Sequence, residues 1–203
     1  MNERYENMVK VPQQPAAKLL SNANVMLQTN VDAPASAPIQ AVLSELDEKG
    51  EWIDILKLLA VVLPPRERVW WACLAARDYL GPKSPEDPLP LATSEAWVFE
   101  PTAENCEAAR RSMDNAHFDD ETVHCATAVL YADGTLGPGD LAQYPAPAGG
   151  AELSAFAMNV VALKNLSDKF DTHIQLLIDR AVDIARGGNG QAAAIQPEKE
   201  KNL

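Results

Sequence analysis

From Ile39 to Gly188 the apolar positions recur three and four residues apart, and no stretch alternates in the way a half-buried strand would. Ile39, Val42, Leu43 and Leu46 share one face of a helix that Gly50 closes. The next segment, Glu51 to Leu63, is apolar nearly all round, with Glu51, Asp54 and Lys57 as a narrow polar stripe, so it is expected at the centre of a bundle with Trp52, Leu56 and Leu59 largely buried. Pro64 and Pro65 end it, and Pro65 suits the first turn of the helix that follows, where its missing N–H has no partner to lose. Leu153, Phe156, Val160 and Leu163 mark a later helix. Phe170, Ile174, Leu177, Ala181 and Ile184 mark the last one, stopped by Gly187 and Gly188.

Weaker patterns fill the middle. A short helix is expected around Ala17 to Gln28, and Ser94 is placed to cap another carrying Trp97 and Phe99. Thr102 to His117 reads as a mostly polar helix edged by Cys106, Ala109 and Met113, and Asp119 with Asp120 opens one whose Val123, Ala126 and Leu130 share a face. Pro82, Pro85, Pro88 and Pro90 predict a stiff loop without regular structure, and Gly134 to Gly150 a second long break. The resulting expectation is an all-α, single-domain helical bundle of about six to eight helices with Pro-rich loops and flexible termini. Residues 1–36 are read as a flexible or partly helical N-terminal segment, 37–188 as the helical domain, and 189–203 as a disordered C-terminal tail, both ends being dispensable for folding.

The helix beginning at Pro65 places Trp70 and Trp71 side by side, and neighbours on a helix point about 100° apart. Trp70 lies one turn after Arg66 and two before Arg77, so Arg66, Trp70 and Arg77 form one stripe in which two guanidinium groups could bracket the ring. Trp71 lies between Glu67 and Ala75, leaving room for a second helix to approach. Both rings serve as core or inter-helix filling on one reading. On the other, Arg66, Trp70 and Arg77 are the candidate protein-binding residues, since Trp and Arg are enriched at interface hot spots.

Three segments carry a resemblance: Leu63 to Ala72, Glu95 to Pro101, and Asp183 to Gly187. Together they make the chain, over roughly Ile39 to Gly187, similar to an uncharacterised bacterial domain family of unknown function. That resemblance implies no established activity and a weak association with type VI secretion loci. The N-terminus departs from the family pattern, a polar, Pro-interrupted segment standing where an ordered lead-in is usual.

Composition narrows the function classes. With a formal charge of −12 and no Lys/Arg cluster, the chain lacks what a nucleic-acid backbone or an anionic membrane surface would bind. Met1 to Lys10 is too polar for a secretory signal, and no apolar run reaches the ~18 residues of a membrane span. Cys73, Cys106 and Cys125 are three thiols at no recognisable spacing, which suits a reducing cytoplasm. No metal site is expected: His124 beside Cys125 cannot chelate one ion, and His117 with Asp119 and Asp120 reads as a dressed helix start rather than a cation site. Gly134, Gly137 and Gly139 lack the preceding strand of a phosphate cradle, and the carboxylate pairs Asp168 with Asp171 and Asp179 with Asp183 read as a solvated face. The chain therefore reads as a cytoplasmic protein-binding adaptor or chaperone-like accessory protein, with no catalytic residue, cofactor or metal and with an unidentified protein partner. An immunity-type inhibitor of a basic toxin and a helical enzyme with a dispersed site are the alternatives.

Overall fold

A computed structural model describes residues 3–191. The described residues fold into nine α-helices: α1 (Ala16–Asn22), α2 (Ile39–Lys49), α3 (Trp52–Val62), α4 (Pro65–Leu80), α5 (Leu89–Phe99), α6 (Ala103–Asp114), α7 (Val123–Leu130), α8 (Gly150–Asn165) and α9 (Phe170–Ala185). Short 3₁₀ turns lie at Glu3–Tyr5, Gly139–Gln143 and Ser167–Lys169. No strand forms among them; two isolated bridges, Pro15 with Pro38 and Thr135 with Pro145, are the only β pairing present. The all-α bundle is thus as expected, with one helix beyond the upper end of the expected six to eight.

Two apolar cores share a pair of helices. The first gathers α2, α3 and α9, and the second α5, α6 and α7. Helix α4 lies between them, sending Trp71, Leu74 and Ala75 into the first and Val69, Ala72, Cys73 and Ala76 into the second. Its alanines leave space for close neighbours on both sides. Helix α3 is central as its pattern predicts, with Leu56 and Leu59 fully buried; Trp52, at its first residue, is only partly covered.

Helix α8 departs from its pattern. Leu153 and Val160, two of the four residues expected to face the core, are 44% and 37% exposed. Ala151, Ala155, Met158 and Ala162 are buried instead, because α8 runs against α3 and α4 on one side and α7 on another, and small side chains fit those close approaches. The start of α5 is also corrected. Pro90 lies in its first turn, where a proline costs no hydrogen bond, and Ser94 is a buried mid-helix residue whose hydroxyl donates to the Pro90 carbonyl at 2.6 Å rather than a cap.

The N-terminal segment differs most from expectation. It is partly helical through α1, but residues 3–36 are tied down: Tyr5, Met8, Val11 and Ala16 are buried in the first core. Arg4 bridges Asp47 of α2 and Asp179 of α9, and Arg186 donates to the carbonyls of Glu3, Arg4 and Glu6. Spaced three apart, Tyr5, Met8 and Val11 bury one face of an irregular segment whose helical periodicity is too short to read. Asp54, on the narrow polar stripe of α3, is 3% exposed and accepts the backbone N–H groups of Gln28 and Thr29 while pairing with Lys57. At the other end, Asn189 to Gln191 continue as an ordered strap; the remainder of the segment expected to be a disordered tail lies outside the described residues.

Candidate protein-binding groove

Position in this molecule starts at the α3–α4 corner. Pro64 and Pro65 end α3 and begin α4, leaving carbonyls at the end of α3 without helical partners. Buried Arg68 takes them, donating to Ala60 at 2.6 Å, Val61 at 3.2 Å and Leu63 at 2.9 Å, while Nη1 pairs with Glu152 at 2.9 Å. The first turns of α4 are thereby fixed, and with them the direction in which Arg66 and Trp70 emerge.

Helix α5 closes at Phe99, two residues before Pro101. Arg66 Nε donates to the Val98 carbonyl in its last turn at 2.6 Å, joining the start of α4 to the end of α5. That bond brings Trp70 and Phe99 together edge to face, ring centres 6.1 Å apart at 61°. Phe99 is 70% exposed. The third wall is the strap after α9: Gly188 N–H donates to the Asp183 carbonyl, Gly190 N–H to its carboxylate at 2.9 Å, and Arg180 Nε to the Gly190 carbonyl at 3.1 Å. Gly190 has φ +73°, and a Cβ there would come within 2.9 Å of Ile184, Leu74 and Arg180, so glycine is required for the strap to lie flat. Trp70 Nε1 donates to the Asn189 carbonyl at 2.7 Å. Lys10 completes the rim, its Nζ 2.8 Å from Glu67 and its N–H on the Ala185 carbonyl. The open groove between these walls has a volume of about 400 Å³.

Two of the three sequence candidates meet there; Arg77 does not. It stands at the other end of α4, bonded bidentately to both Asp87 and Glu95 at 2.7–2.9 Å. These carboxylates hold its guanidinium charged, with a pKa raised above the ordinary arginine value, and Asp87 is held below the usual carboxylate range by the same contact. Arg77 thus clamps the Pro-rich loop and α5 onto α4. The bracketing of Trp70 by two guanidiniums is corrected accordingly: among the described residues the ring's aromatic partner is Phe99, and no arginine stacks on it. One stripe of α4 spans about 16 Å between Arg66 and Arg77, so its ends meet different neighbours. Trp71, pointing the other way, is fully buried with Nε1 donating to the Leu177 carbonyl of α9 at 3.0 Å.

Spacing on α4 could not reveal Phe99, Ile184, Lys10 or the strap. Phe99 and Ile184 do lie in the second and third segments that carry the family resemblance, and the fold brings all three segments to this one groove. Elsewhere, α9 supplies His173 and Arg180 to Asp78 of α4: Arg180 pairs at 2.7 and 2.9 Å, and His173 Nε2 stands 3.5 Å from the same carboxylate. Burial pushes the His173 pKa down. A side-chain hydrogen bond between the Cys73 thiol and Cys125, together with burial, raises the Cys73 pKa, and burial lifts Cys106 to about 11, so both remain thiols at neutral pH. His117 contacts Asp119, while Asp120 accepts from the N–H and hydroxyl of Thr122 ahead of α7. Among the described residues no helix is long and apolar enough to cross a membrane.

A family model described as a family of unknown function (DUF6931) matches residues 42–185. No curated protein and no solved structure matches the chain.

Proposed function

The chain belongs to this family of unknown function, and on that premise we propose that it is a non-catalytic protein-binding adaptor or chaperone-like accessory protein, serving a secretion system, that engages its partner through the Trp70–Phe99 groove. The observation that carries the reading is the convergence on one groove of three segments far apart in sequence, with an exposed aromatic ring in its lining. An exposed aromatic beside an arginine and a half-covered tryptophan is the composition of an interface hot spot. A larger opening of about 560 Å³ between α1, α2 and the segment joining them is lined by no charged side chain, and Val42 is its only lining residue within the family match. The Trp70–Phe99 groove draws Arg66, Glu67, Trp70, Val98, Phe99 and Ile184 from that match. Its described lining also lacks a nucleophile with an adjacent base, the arrangement covalent catalysis needs.

Site-specific photocrosslinking in the source organism tests the proposal. A photoreactive phenylalanine analogue replaces Phe99 in one version of the protein and Phe118, which is 95% exposed on a different loop, in another. A discrete protein adduct from position 99 and none from position 118 is the expected result. Equal labelling from both, or none from either, would refute it. The identity of the adduct then decides the secretion-system assignment.

A further inference from the structure

We propose that the groove receives a short segment in which an apolar side chain stands next to a carboxylate, the apolar group on Trp70 and Phe99 and the carboxylate on the guanidinium of Arg66. The inference rests on the groove being the protein-binding surface. Of the eight described arginines, Arg4, Arg68, Arg77, Arg110, Arg111 and Arg180 each meet a carboxylate of the fold. Arg186 is occupied by three main-chain carbonyls. Arg66 is engaged through Nε alone, on the Val98 carbonyl, and no carboxylate lies within ion-pair distance of it among the described residues. In a chain with 29 acidic residues against 17 basic ones, an exposed guanidinium without an acidic partner at the rim of an apolar groove is a receptor for one.

The chemistry narrows further. Two Nη groups form a planar fork that matches a carboxylate through two parallel hydrogen bonds. The Nε bond already orients the side chain, so less rotamer freedom is lost on binding. A basic segment finds no equivalent, because Glu67, the acidic residue on the rim, is taken by Lys10 at 2.8 Å. The same pair cancels the repulsion Glu67 would exert on an incoming carboxylate. The net charge of −12 opposes a long acidic chain, but it is screened over about 8 Å at physiological ionic strength, so one carboxylate in contact with Arg66 feels that guanidinium first.

A random twelve-residue peptide library displayed on phage, selected against the full chain and counter-selected against Phe99→Ser, supplies the probes. Enriched peptides are then measured as free peptides, each with its Asp or Glu and with the corresponding Asn or Gln. The expected peptides carry Asp or Glu within two positions of a large apolar residue. Exchanging that carboxylate for an amide weakens binding to the wild-type protein about tenfold or more. On Arg66→Gln the difference between the carboxylate and amide peptides closes, whatever the change common to both, and Arg66→Lys restores part of that difference. The amide peptide on wild-type protein keeps the test independent of how any variant folds. Peptides that need Phe99 but no carboxylate would overturn this inference and leave the groove standing as a binding surface. Enrichment indifferent to Phe99, or no enrichment, would overturn both.

Discussion

The two ends of α4 carry the same residue types on the same stripe and use them oppositely. At the C-terminal end Arg77 spends its guanidinium on Asp87 and Glu95, both nearly buried, and becomes a clamp for a loop and a helix. At the N-terminal end Arg66 gives one bond to a carbonyl and stands beside two aromatic rings that the fold leaves partly open. The lesson is that spacing along a helix says which residues are aligned but not what lies opposite each of them. Where the chain returns with carboxylates, an arginine becomes structure; where it returns with an exposed Phe and a glycine strap, an arginine is left for something else.

The sharpest break between the ends is expected in stability, and the neighbouring tryptophans set its scale. Trp71→Ala removes a fully buried ring and its bond to Leu177, and should cost ~3–5 kcal/mol in urea denaturation. Arg77→Ala should follow at about 2–4 kcal/mol, between the values for exposed and buried pairs, because it strands Asp87 and Glu95 with 8% and 6% of their side chains exposed. If Arg77→Ala melts like the wild type, the clamp is an ornament and the contrast between the ends collapses.

Acidification should weaken the α4–α9 seam next to that clamp. His173 is buried at 6% exposure with its pKa held below the ordinary histidine value, so the unfolded chain takes up a proton that the folded one resists. Stability from this residue is complete above about pH 6.5 and is lost as pH falls below it, by at most ~1.4 kcal/mol per pH unit for one proton. Asp78 opposes the shift and Arg180 reinforces it. His173→Gln should flatten this acid limb of the stability–pH curve; an unchanged limb would place the titration elsewhere.

The smallest stability effect belongs to Arg66. Arg66→Gln leaves no buried charge behind and gives up one hydrogen bond to the Val98 carbonyl, so it should cost about 0.5–1.5 kcal/mol. A larger loss would make it a clamp like Arg77.

Much of the fold was legible because most helices are long enough for their periodicity to show. Helices α2, α3 and α9 lie close to the spans their apolar spacing predicts, with Gly50 closing α2 in a left-handed conformation, φ +73°. Helix α8 misled because its larger side chains do not mark its buried face; alanines at close crossings do. The N-terminal segment was illegible for a different reason, since Tyr5, Met8 and Val11 anchor an irregular segment by burial, and Arg4 ties it by ion pairs to residues more than 40 positions away. Half of the candidate site followed from α4 alone, as Arg66 and Trp70. Phe99, Ile184 and the strap depend on the third dimension, as does the removal of Arg77 from the site.

The most direct test of the groove as a binding surface uses the four tryptophan indole N–H signals of the ¹⁵N-labelled full chain, titrated with the selected peptides. Trp70 Nε1 donates to the strap at the groove wall, Trp71 is sealed against α9, and Trp52 and Trp97 lie outside the groove. The account predicts that the Trp70 signal moves or broadens while the other three hold. Movement of Trp52 or Trp97 with Trp70 unchanged, or no movement at all, would contradict it.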